Sequence, residues 1–232
     1  MIAEAEEHLR SRSANTPLVI GRSGSPLELV FNALYFTKPN QTTFPLKEAS
    51  EVLEYLEVIP IYSRFSAQEH RIVGTTIDYF RFRNITFSEG RQLIRMGECV
   101  VGADVAKERS LTVGDSIISS PGSMFDLAGV YPLKMRICGI MEATGTPDDN
   151  AIFVDLKTAW IIEGLGHGHE DAETIGTDKV INTDKDGEII LNASVVQYNE
   201  VTPENACSFH FHGDQSDFPV TAAILFMDFI KS

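Results

Sequence analysis

The hydrophobic period of this chain changes part-way along it, and that change limits the folds open to it. In the opening third, helical and strand patterns alternate. "TPLVIG" reads as a strand ending at Gly21. "SPLELVFNALYF" follows with Ser25 placed as a helix N-cap and Pro26 at the first helical position. Leu46, Ala49, Leu53 and Leu56 then fall on one face of a second helix. "VIPIYSRF" and "HRIVGTT" read as two strands with "SAQE" as the turn between them. From about residue 90 the character changes, and "GECVVGADVAKERSLTVGDSIISS" reads as strand, short helix, turn and strand. Short apolar runs such as "GECVVG" and "RICGIM" are punctuated by Gly, Asp and Ser, and "LAGVYPLKMRICGIMEAT" reads as a hairpin through "GVYP". "NAIFVDLKTAWIIEG" is a strand running into a helix with Asp155 at its start, and residues 164–187 read as a long polar loop. Three late strands close the chain, in "EIILNASVVQY", "CSFHFH" and "PVTAAILFMDFI". A chain that alternates and then turns strand-rich fits an α+β fold in two lobes better than a single repeating layer.

Charge narrows the function classes. The net charge is −14. No basic run is present, and a duplex-binding surface must neutralise phosphates with Lys and Arg, so nucleic acid is excluded as a partner. The charge is uneven: residues 142–232 hold 17 acidic and 4 basic residues. No apolar segment reaches the ~18 residues of a membrane helix. The N-terminal "MIAEAEEHLRSR" lacks the apolar core of a signal peptide and spaces Ile2, Ala5 and Leu9 as a short amphipathic helix. Cys99 and Cys138 sit inside apolar runs and read as small buried hydrophobes, with Cys207 as a third, odd cysteine.

Motifs for catalysis are weak. There is no phosphate-binding loop, and "GLGHGH" follows a helix rather than a strand. "VGDSI" (residues 113–117) echoes an esterase block, but no later Asp-x-x-His completes a hydrolytic site. "NTDKDGEI" has the look of a calcium loop, yet counting from Asn182 places Ala193 where the bidentate Glu belongs.

The histidines are more informative. Four of the six lie in "GLGHGHED" and "SFHFHGD", as His167, His169, His210 and His212. Strand alternation puts His210 and His212 on one face and Phe209 and Phe211 on the other. Two imidazoles at that spacing can share a metal, and Zn²⁺ accepts four N or O ligands. A candidate zinc site therefore comprises His167, His169, His210 and His212, with Asp171 or Asp214 as a further ligand. The competing structural reading is a polar loop beside a solvent-facing strand.

One stretch carries a more specific signal. From Arg71 to Ile117 the chain has Val73-Gly74, Tyr79-Phe80, Asn84, Gly90-Arg91, Val100-Val101-Gly102, Val105-Ala106 and Val113-Gly114-Asp115, followed by Ile137-Cys138-Gly139-Ile140 and Gly145. This pattern resembles the extracytoplasmic core domain of ABC transporter permeases of the MacB/FtsX-like type. The likeness covers roughly residues 17–165. It departs from the family at Asp155, where a proline is usual, and over residues 166–218, which hold both histidine pairs.

The resemblance implies a fragment of a bacterial inner-membrane protein lying in the periplasm. Residues 2–12 would be the outward extension of a first membrane helix. It implies a porter-like α/β lobe formed by both chain ends, residues 1–89 with 194–232, and an inserted mostly-β lobe over residues 90–193. It implies no catalysis and no cofactor beyond the zinc raised above. The partners implied are a cytoplasmic ABC ATPase subunit reached through the membrane part, a periplasmic partner protein, and a second permease chain as a homodimer or heterodimer. The runner-up is an extracytoplasmic protein that binds or senses zinc.

Overall fold

A computed structural model describes residues 12, 16, 18–37, 42–51, 56–120, 132–168, 180–183, 189–191 and 199–226. The chain begins with strand β1 (Leu18–Ile20) and helix α1 (Pro26–Leu34). The Ser25 side chain accepts a hydrogen bond from the Glu28 amide at 3.3 Å, so the cap expected from sequence forms. Strand β2 (Phe44–Pro45) leads into helix α2 (Leu46–Glu51), which carries Leu46 and Ala49 of the expected apolar face; Leu53 falls outside the described residues.

Strand β3 (Glu57–Ile61) is followed by a tight hairpin of β4 (Ser66–Ala67) and β5 (His70–Thr75). Only Gln68 and Glu69 lie between those two strands, both with positive φ. The turn is thus narrower than "SAQE", because Ser66 and Ala67 are themselves paired with β5.

Helix α3 (Ile77–Phe82) was not expected from the sequence. Its aromatic residues mimic a strand, but Tyr79 and Phe80 are buried in the core on one side of the helix. Strands β6 (Phe87–Gly90) and β7 (Glu98–Val101), helix α4 (Ala103–Arg109), strand β8 (Ser116–Ile118) and the long strand β9 (Leu133–Met141) follow. The "GVYP" turn lies outside the described residues save Pro132, while β8 and β9 do pair antiparallel.

Strand β10 (Ala151–Asp155) runs into helix α5 (Leu156–Ile162), where the Asp155 side chain accepts from the Lys157 amide at 2.9 Å. The stretch 164–187 is not wholly a loop. It contains β11 (Gly166–Gly168) and β12 (Val180–Thr183), the latter paired with β13 (Ile189–Leu191). Strands β14 (Asn199–Glu200), β15 (Phe209–Phe211), β16 (Pro219–Val220) and β17 (Ala222–Phe226) complete the described fold.

Two sheets organise these elements. A three-stranded antiparallel sheet has the order β1-β17-β3, so strands from both ends of the chain lie side by side. An eight-stranded mixed sheet has the path β14-β9-β7-β10-β5-β4, with β6 and β8 also on β9. The boundary expected at residues 89/90 falls within this second sheet, since β5 pairs parallel with β10.

Residues on the central strands alternate between two cores. Ile72, Cys99, Val101, Ile152 and Val154 face one side, with Trp160 of α5. Val73, Val100 and Phe153 face the other, with Tyr79, Phe80, Ile59 and Ile224. Strands buried on both faces read as continuous apolar runs, which is why "IFV" and "CVV" showed no alternation. Cys99 and Cys138 are buried and unpaired, as their runs implied, and burial pushes the Cys138 thiol up to about 11.

Candidate functional site

The histidine strands are held by helix α5. The indole Nε1 of its Trp160 donates to the Pro219 carbonyl at 2.9 Å. Its ring meets Phe218 with centroids 5.1 Å apart and Phe211 at 6.3 Å. Phe209 and Phe211 thereby pack against the core, and the alternation in β15 turns His210 and His212 the other way. Their rings lie edge to face, with centroids 4.8 Å apart. His210 Nδ1 lies 3.1 Å from the Ser208 carbonyl. A carbonyl only accepts, so Nδ1 donates in that contact.

Strand β11 pairs antiparallel with β15, with His167 directly opposite His210 in backbone register. The chain therefore folds the first histidine segment onto the second. His169 and Asp171 lie outside the described residues. Asp214 is exposed and accepts from the Ser216 amide at 2.8 Å as the cap of a short 3-10 turn, a bond that holds its carboxyl below the usual range. Among the described residues, no group of three or more His, Cys, Asp and Glu side chains is disposed to hold a metal ion.

A second constellation escaped the sequence reading. Arg12 is 5% exposed and Asp148 2% exposed. The guanidinium of Arg12 donates to both Asp148 oxygens, at 2.9 and 2.7 Å, and also to the Leu34 carbonyl and the Tyr79 hydroxyl. Tyr79 in turn donates to Asp148 at 2.7 Å. Burial works against the Arg12 charge, but Tyr79 and Asp148 outweigh it and raise its pKa. The segment before β1 is thus tied into the core by a neutralised ion pair. Of the N-terminal helix expected over residues 2–12, only Arg12 is described, and it is helical. No local pattern announces a pair 136 residues apart.

The first and last described strands lie side by side. Register pairs Leu18 with Leu225 across β1 and β17, so the start of the first strand lies beside the end of the last. Among the described residues, no helix is long and apolar enough to cross a membrane.

Comparison with known proteins gives the class. The family model described as MacB-like periplasmic core domain matches residues 7–197, and the chain belongs to that family. It is the periplasmic core domain of a MacB-like ABC transporter permease.

Among solved structures, the periplasmic region of MacB from Actinobacillus actinomycetemcomitans is similar at 14% identity. That match has a TM-score of 0.43 and covers 67% of this chain and 71% of that one. The extracellular domain of the noncanonic ABC-type transporter YknZ from Gram-positive bacteria is similar at 10% identity. Its TM-score is 0.41, with 63% of this chain and 75% of that one covered. No curated protein matches the chain.

Proposed function

We propose that this domain is the non-catalytic external arm of its permease, carrying motion driven by ATP hydrolysis in a cytoplasmic subunit to a partner or cargo outside the inner membrane. The observation that supports this best is the pairing of β1 with β17, since a domain inserted between two membrane helices must receive and return the chain at adjacent points. The Arg12–Asp148 pair adds a rigid attachment for the incoming segment. The same reading keeps residues 1–89 with 194–232, and residues 90–193, as its units of movement, joined by the eight-stranded sheet. It also includes a second permease chain and a periplasmic protein as partners.

The test uses the permease containing this domain, with its ATPase, in lipid nanodiscs. Cys207 is exposed and is replaced by Ser; Cys99 and Cys138 are buried. Spin labels go on Leu27→Cys and Ile94→Cys, at exposed positions in the two units. Motion requires that the label distance change when the ATPase is trapped with nucleotide and return on release. An unchanged distance distribution through the ATPase cycle would sink the proposal.

A second reading, zinc binding by the histidine strands, draws support from the register of His167 against His210 and from the adjacent His210 and His212 rings. Calorimetric titration of the metal-free chain with Zn²⁺ tests it, beside a variant with His167, His169, His210 and His212 all changed to Ala. Stoichiometric binding lost in the variant supports the reading, and equal weak binding by both proteins removes it.

A further inference from the structure

Arg71 is half-buried on β5, opposite Ser66 on one side and Ala151 on the other. Neither neighbour is acidic. Its Nε is buried and, among the described residues, meets no acceptor. Burial lowers the pKa of its guanidinium. Glu69, two residues away, pairs instead with Arg109 at 3.7 Å. A desolvated guanidinium nitrogen without an acceptor costs stability, and a ligand that neutralises the group offsets that cost.

Arg71 lines, with Glu69 and His70 beside it, a cleft of about 310 Å³ between the end of α1 and the turn before β10. Tyr35 and Phe36 line it with aromatic surface, and Thr37 and Asn150 with polar groups. Asn150 donates one amide hydrogen to Asp104 at 3.2 Å, which leaves its second for a ligand. The volume sits near the lower end of ligand pockets, roughly 300 Å³, which suits one amino-acid-sized group.

We propose that this cleft binds a carboxylate, carried by a ligand the size of a capped amino acid, with Arg71 as the bidentate partner and Asn150 as a second donor. A planar guanidinium fork matches a planar carboxylate. A carboxylate brings one negative charge to a lining that holds Arg71 and His70 beside Glu69, whereas a doubly charged phosphate brings two against the same Glu69 and the net charge of −14. The inference is independent of the permease reading, because the cleft lies within the described fold and needs no membrane part.

The test is heteronuclear NMR of the 232-residue chain. N-acetylglycine, its neutral amide and inorganic phosphate are titrated separately, beside Arg71→Met. N-acetylglycine is expected to shift the Arg71 Nε–Hε signal and the Thr37 and Asn150 amides saturably, and its amide to leave them in place. R71M is expected to bind about tenfold or more weakly, with an unfolding midpoint equal to or above that of the parent. No saturable shift, equal binding by R71M, or tighter binding of phosphate than of N-acetylglycine each overturns the proposal. If R71M does not fold, Asn150→Leu replaces it and must weaken N-acetylglycine binding while leaving the fold intact.

Discussion

Asp148 shows how much one buried residue can hold. It accepts from Arg12 and Tyr79 and stands where the chain turns into β10. Removing one partner of a buried pair leaves the other charge uncompensated, at about 3–5 kcal/mol. Asp148→Asn is therefore expected to lose that much in urea unfolding. Arg12→Met with Asp148→Leu, which removes both charges, is expected to lose less than D148N alone; a larger loss would show that the pair contributes net stability.

Glu98 supplies the residue-scale pH dependence. Burial pulls its carboxyl upward, but the Arg91 guanidinium and the amides of Ile94 and Arg95 outweigh that and hold it below the usual range. A depressed folded pKa gives stability that is present above the unfolded value of about 4.3 and is lost as pH falls through the folded one. Glu98→Gln is thus expected to be less stable than the parent at neutral pH, with the gap closing in acid. A gap that stays constant with pH would remove this account. Local residue signals such as the Ser25 and Asp155 caps were legible in sequence because cap and partner are two or three residues apart. The Arg12–Asp148 pair was not legible, because its partners meet only after folding.

At the scale of elements, the packing of α5 on the sheet depends on an absent side chain. A Cβ at Gly74 would lie 2.4 Å from the Ala159 Cβ, so helix and strand meet at van der Waals contact only because β5 has glycine there. Gly74→Ala is expected to destabilise by about 1–3 kcal/mol through overpacking. Adding Ala159→Gly should recover part of that loss despite its own helical cost of about 1 kcal/mol. Strict additivity in thermal melts would disconnect the two residues.

The same strand explains what sequence could not show. "RIVGTT" reads correctly as a strand, but "IDYFRF" carries aromatic residues whose strand preference is overridden when Tyr79 and Phe80 bury together under α1 and β10. Gly90 ends β6 with a φ of 73°, and a Cβ there would lie 2.3 Å from the Cys138 carbonyl, so only glycine fits that close approach. Strand β11 was hidden because its two glycines are poor strand formers, and β12 because four residues beside Asp and Lys give too short a pattern; pairing with β15 and β13 decides their conformation.

On the scale of the whole molecule, the decisive feature is that both cores share strands. Ile152 faces one and Phe153 the other, and both lie on β10 between β5 and β7. Neither core can open without breaking that strand's pairing or exposing its neighbour. Sequence showed the change of hydrophobic period and hence two kinds of structure. It could not show that β5 and β10, from either side of residue 90, pair in one sheet, because strand pairing across such a separation has no local signature.

Domains with separate cores can unfold in separate steps, whereas cores built on a common strand should unfold together. The described fold is therefore expected to unfold in one transition, with Trp160 fluorescence on one side and far-ultraviolet circular dichroism of the whole giving the same midpoint. Ile152→Val, at a cost of about 0.5–1.5 kcal/mol, and Phe153→Leu on the opposite face should each move both signals together. Two midpoints, with I152V shifting one and F153L the other, would mean that the lobes are stable apart. The movement proposed for the permease would then be a separation of independent domains, and not a shift of layers across a shared sheet.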